Sequence, residues 1–250
     1  MQIRRIRLPP AALQQMSKDE RAFFLLAGHM QNELNSLHKV FAWCLHNQGV
    51  TTPIESLANG VQAQLYARLL AGKLLEAWNA LGKSFFGARL SQRIEAALHP
   101  SAQEALAELK AYFGKANLIH RVRNSFAFHY AAEEFERHWL EVSDDANFEV
   151  VLGGSVGNNM NLASELVVNT AVLKSTNENA ESAALKRFLD EVQATASHFT
   201  NFLEGVTLVL LELALPSPIR EQGSVEVIDP PFRFESIAIP HFYNHGLPDA

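Results

Sequence analysis

The chain has 250 residues, 48% of them hydrophobic and 19% charged, and 21 Lys and Arg against 27 Asp and Glu leave it at −6. That balance argues against a protein that coats nucleic acid through bulk charge. A single cysteine, Cys44, excludes an internal disulfide framework and cysteine-based zinc sites. Apolar stretches such as Val206 to Leu211 are far below the ~18 residues of a membrane span, so a soluble, cytoplasmic protein is predicted.

Arg4, Arg5 and Arg7 precede any acid, as in an organellar presequence, but Pro9 and Pro10 break the amphipathic helix such a leader needs. Ile3 to Leu8 reads instead as a short strand or arm. Four segments fit a capping box, in which a hydroxyl and a Glu three residues later satisfy two free backbone N–H groups. They are Ser17–Glu20, Thr52–Glu55, Ser101–Glu104 and Ser175–Glu178.

A first helix is predicted from about Asp19 to His46. A second places Val61, Leu65, Leu69, Leu74, Trp78 and Leu81 on one face, with Ala63, Ala67, Ala71 and Ala77 allowing close approach, and ends near Gly87. A short piece follows, Ser91 to Leu98. A third helix begins after Ser101 and reaches toward Tyr130, with 131–141 as its continuation or a separate acidic helix. Phe148 to Leu152 reads as a strand and Gly153 to Asn159 as a turn. Leu162 to Lys174 and a last long segment containing Leu185, Leu189, Val192, Leu203, Val206 and Leu210 read as helices. Six of the ten prolines fall after Leu215, which leaves a tail with two short β-like runs, Ser224 to Ile228 and Phe232 to Ile239. The predicted fold is mainly α: an N-terminal arm (1–17), a helical bundle (18–215) with a strand and turn insertion, and a proline-rich, partly β tail (216–250).

Familiar catalytic patterns are missing. The glycine turn at 153–157 lacks the Gly-Lys-Ser/Thr ending of a phosphate loop, and no G-x-G-x-x-G occurs. Glu-x-x-His and His-Glu-x-x-His are absent, so neither a metal site nor a cofactor is predicted. Glu134 and His138, four apart, read as a surface contact. Cys44, among Phe41, Trp43 and Leu45, reads as a buried hydrophobe rather than a nucleophile.

What remains is His120-Arg121-Val-Arg123-Asn124-Ser-Phe-Ala-Phe-His129-Tyr130. No acid occurs between Glu108 and Glu133, whereas Lys110, Lys115, Arg121 and Arg123 do. A basic island in an acidic chain suits a local anionic ligand. Arg123-Asn124-Ser-Phe-Ala-Phe-His129 resembles the signature of the HEPN family, helical domains many of which are metal-independent RNA endonucleases. That signature is an arginine, a polar residue, and a histidine after four to six intervening residues. Spacing alone carries little weight, since Arg93 and His99 repeat it by chance; Asn124, Phe126, Phe128 and the acid-free context carry the resemblance. It covers roughly Asp19 to Tyr130.

The resemblance implies an endoribonuclease giving 2′,3′-cyclic phosphate ends. Arg123, Asn124 and His129 would be catalytic; Arg121, His120 and Glu33 would assist in substrate binding. A histidine suits proton transfer near neutral pH, and a guanidinium suits the charge developing on phosphate. Six positions along a straight helix give about 9 Å of rise and about 240° of rotation, so one helix aims Arg123 and His129 apart. A two-fold homodimer, usual in this family, would gather both pairs around one cleft. RNA and a second copy are thus the implied partners, with an antitoxin or regulatory protein as a further one in a toxin–antitoxin or defence setting. The alternative is a catalytically silent helical scaffold.

Overall fold

The structure, a computed structural model, describes residues 1–46, 52–124, 132–143, 145–230 and 232–244. Strand β1 (Gln2–Arg5) is followed by helices α1 (Pro10–Gln14), α2 (Lys18–Leu45), α3 (Pro53–Leu81), α4 (Ser91–Ile94), α5 (Pro100–Phe113), α6 (Leu118–Val122) and α7 (Ala132–Trp139). Strands β2 (Val150–Val151) and β3 (Met160–Asn161) lead into α8 (Leu162–Lys174) and α9 (Glu181–Ala214), and β4 (Ser224–Val227) lies in the tail. The chain is mainly helical, as its periodicity predicts, with two small antiparallel strand pairs among the described residues.

Two of the four capping boxes open helices. At the start of α2, Glu20 accepts from the Ser17 N–H at 2.8 Å and Ser17 Oγ from the Glu20 N–H at 3.3 Å. Ahead of α3, Glu55 and Thr52 exchange the same pair of bonds at 2.9 and 3.3 Å. The other two do not. α5 starts two residues early because Pro100 fits the first helical position, and His99 caps it by accepting from the Ser101 N–H. Ser175 closes α8 instead of opening α9, since Asn177 takes a left-handed φ of 61° that no helix can continue through.

The expected third helix is also interrupted. α5 ends at Phe113, and Asn117 then caps a new helix, α6, by accepting from the His120 N–H at 2.9 Å. On α3, Val61, Leu74 and Leu81 of the predicted face are buried, as are Ala63, Ala67, Ala71 and Ala77, whereas Leu65 is 40% exposed. The small alanines between the larger apolar residues allow close backbone approach.

The chain forms two compact units. The first comprises Met1–Ser36, Leu74–Ala116 and Ala194–Arg233. Its core is aromatic: Phe85 stacks on Phe23 at 5.0 Å and meets Phe202 edge-on at 5.4 Å. Phe113 lies against Trp78 at 4.9 Å and Phe199 at 6.0 Å. Gly205 lets α9 approach α5, since a Cβ there would fall 2.5 Å from the Ala102 Cβ. The arm and the tail meet as one ribbon, with Gln2 opposite Val227 and Arg5 opposite Ser224. Gly223, at φ 77°, turns the chain into it. The second β-like run is not a strand; only a 3₁₀ turn, Phe234–Ser236, forms there, as prolines on both sides deny a ladder its donors.

The second unit comprises Leu37–Lys73, Asn117–Gln193 and Phe234–Ala250. Ala58, Val61, Met160 and Leu162 form a buried cluster against which Ile54, Val151 and Phe242 pack. The β2–β3 hairpin pairs Val150 with Asn161 and Val151 with Met160. Within its turn, the Asn158 amide holds the tail by accepting from the Tyr243 N–H at 3.0 Å and donating to the Tyr243 carbonyl at 2.7 Å. Gly157 leaves the space that the Tyr243 ring occupies; a Cβ would lie 3.0 Å from its Cζ.

Candidate nucleic-acid site

The candidate segment starts at the Asn117 cap, which commits Leu118 to Val122 to a helix whose Leu118, Ile119 and Val122 are buried. That burial sets the remaining face. His120 and Asn124 are exposed and Arg123 is half-buried, because they alternate with the three apolar residues at helical spacing. The helix widens to π-type bonding at Arg123 and Asn124.

A hydrogen-bonded row runs across this face. Asn124 Nδ2 lies 3.2 Å from His120 Nδ1, and Arg123 Nη1 donates to Asn124 Oδ1 at 3.2 Å. The amide thus bridges an imidazole and a guanidinium. Its donor side meets His120, which requires the unprotonated Nδ1 as acceptor and leaves Nε2 as the N–H. Such a row presents an imidazole and a guanidinium to the same small anion.

Arg121 is directed elsewhere. Its Nη2 donates to the Ser175 carbonyl at 2.8 Å, at the C-terminal end of α8, and its buried Nε has no partner among the described residues. A cation at a helix C-terminus satisfies a free carbonyl and the macrodipole together. Sequence reading missed this tie because it joins residues 54 positions apart. The basic island is likewise divided. Lys110 and Lys115 belong to the first unit, Arg121 and Arg123 to the second. Lys110 is bonded to Glu95 at 2.8 Å and sits over the Phe86 ring at 5.3 Å.

His129 lies outside the described residues, as do Phe126 and Phe128. Glu33 belongs to the first unit, where it lies 3.8 Å from His29. The decoy Arg93 is paired with Glu20, a buried member of the α2 capping box. Glu134 and His138 do meet, at 3.5 Å, and His138 Nδ1 also reaches Glu141 at 3.1 Å. That hydrogen bond, with help from Lys174, holds the Glu141 carboxyl below the ordinary range. Among the described residues no group of three His, Cys, Asp or Glu is arranged to hold a metal ion, and no helix is long and apolar enough to cross a membrane. No protein-family model, curated protein or solved structure matches the chain.

Proposed function

We propose that the chain is a HEPN-like protein that cleaves or binds RNA without a metal ion, with Arg123, Asn124 and His129 as its catalytic set. The observation that supports this reading is the exposed row His120–Asn124–Arg123, which joins the arginine and the polar residue of the motif to a second imidazole. In the proposed reaction the substrate 2′-oxygen attacks the adjacent phosphorus as His129 takes its proton, while the Nε2–H of His120 donates to a phosphate oxygen. The P–O5′ bond breaks and the leaving 5′-oxygen takes its proton from the imidazolium of His129, leaving a 2′,3′-cyclic phosphate and a 5′-hydroxyl. Arg123 stabilises charge on the non-bridging oxygens, and Asn124 orients both neighbours. A homodimer would bring two such sets together, and an antitoxin or regulatory protein would restrain them; these partners follow from the motif's resemblance.

The test is cleavage of single-stranded RNA by purified protein, with and without EDTA. Cleavage that survives EDTA and yields cyclic phosphate ends is expected; cleavage that needs a divalent ion overturns the reading. A second reading, a catalytically silent scaffold, is favoured by the −6 charge and by exposed apolar side chains such as Leu152 and Val156, 78% and 86% exposed. It predicts no cleavage at all.

A further inference from the structure

The second unit carries a groove remote in chemistry from the basic row. One cavity of about 700 Å³ has apolar walls from Leu57, Val61, Leu162, Leu166, Leu173 and Leu185. A second, of about 490 Å³, shares Leu166, Leu173 and Glu181 with it and continues past Thr170 and Ala184. Together they follow α8 from Leu162 to Leu173, about 16 Å at 1.5 Å per residue, or three helical turns. That is too long for one small ligand and matches the footprint of a short helix lying in a groove.

The rim is acidic. Asp145, Glu149 and Glu181 line it, are exposed, and make no ion pair among the described residues. Glu165 and Glu178 line it as well but are bound to Arg68 and Arg187. Lys174, bonded to Glu141 at 3.4 Å, is the one cation among the described lining residues. No residue outside the described set is a lysine or arginine. Gln64, in the wall, keeps a buried Oε1 that has no donor among the described residues, which a partner N–H would satisfy.

Apolar walls exclude a purely polar occupant, and three unpaired carboxylates at the rim repel an acidic one. We infer that this groove docks a basic amphipathic helix of a partner protein, its leucine-type face against Leu57, Leu166 and Leu173 and its Lys or Arg residues against Asp145, Glu149 and Glu181. RNA phosphates are repelled by the same rim, so the groove and the basic row serve different partners. The inference does not depend on cleavage.

The probe is a fluorescein-labelled 16-residue model helix with leucines at i, i+4, i+7 and i+11 flanked by lysines, titrated with the full chain by anisotropy. Its counterpart has every lysine replaced by glutamate. The lysine helix should bind at micromolar concentration and the glutamate helix about tenfold more weakly or worse. The triple variant Asp145→Asn, Glu149→Gln, Glu181→Gln should lose about tenfold in affinity with an unchanged melting temperature, because these side chains are exposed and unpaired. Leu57→Glu, at a side chain 47% exposed, should abolish binding without unfolding. Equal binding of the two helices, no binding of either, or full affinity in the triple variant would overturn the inference. Displacement of the helix by octylamine at equal affinity would assign the cavity to a small cation and overturn it too.

Discussion

Arg68 donates from Nη2 to Glu165 Oε2 at 2.7 Å and from Nη1 to Asn169 Oδ1 at 2.8 Å, tying the middle of α3 to one face of α8. The guanidinium is almost wholly buried, its side chain 5% exposed against 25% for Glu165. Removing the carboxylate leaves a buried cation uncompensated, whereas removing the arginine leaves a carboxylate that water still reaches. Glu165→Ala is therefore expected to cost about 3–5 kcal/mol and Arg68→Met clearly less. Urea denaturation of both variants checks the order; equal losses would remove the argument from asymmetric burial.

Arg123→Ala and His129→Ala should each lower RNA cleavage ~10²-fold or more while the circular dichroism melt stays near that of the native chain. Arg93→Ala is unsuited as the control, since Arg93 is bound to the buried Glu20 and its loss acts on stability. Arg220, exposed in the tail, serves instead, and Arg220→Ala should cleave at the native rate. RNA carrying a 2′-deoxy residue at the cut should resist. Full activity in His129→Ala, or equal cleavage of the 2′-deoxy substrate, would remove the proposed mechanism.

Cys44 is 4% exposed, and burial pushes its thiol above the ordinary value. Both effects suppress the thiolate. Reaction with 5,5′-dithiobis(2-nitrobenzoate) should be slow in the native chain and fast in urea. A native rate near that of free cysteine would show that the α2 face bearing Cys44 is open to solvent.

Glu141 offers a pH test. Its native carboxyl lies below the 4.5 of the free group because His138, and then Lys174, hydrogen-bond the charged form. The native state therefore binds fewer protons than the unfolded one as the pH falls from about 4.5 toward the lowered native value. The stability that Glu141 contributes is complete above that window and lost within it. The melting temperature of Glu141→Gln should lie slightly below the native one at pH 7, and the gap should narrow as the pH falls below about 4.5. A gap that widens on acidification would reverse the sign.

Local chemistry was readable in the order of residues wherever the decisive partners lie within a few positions. The Ser17 and Thr52 caps, the apolar rhythm of α2 from Phe23 through Ala27, Met30 and Leu34, and all of α8 follow from bonds and periods spanning one or two turns. Arg123 and Asn124 stand out in the sequence by the motif they open and by the absence of acids between Glu108 and Glu133, and the contact of Asn124 with His120 spans one turn. Tertiary structure decided everything that depends on a distant partner. Ser101 and Ser175 carry the same signature as Ser17, yet Pro100 and the left-handed Asn177 set the actual helix ends. The bond from Arg121 to the Ser175 carbonyl arises only in the fold. Arg68 drew no notice, because its partners are 97 and 101 residues away. Capping and periodicity are short-range energies written in adjacent residues, whereas the pairing of a buried charge or the joining of β1 to β4 exists only after the chain has closed loops of 97 residues or more.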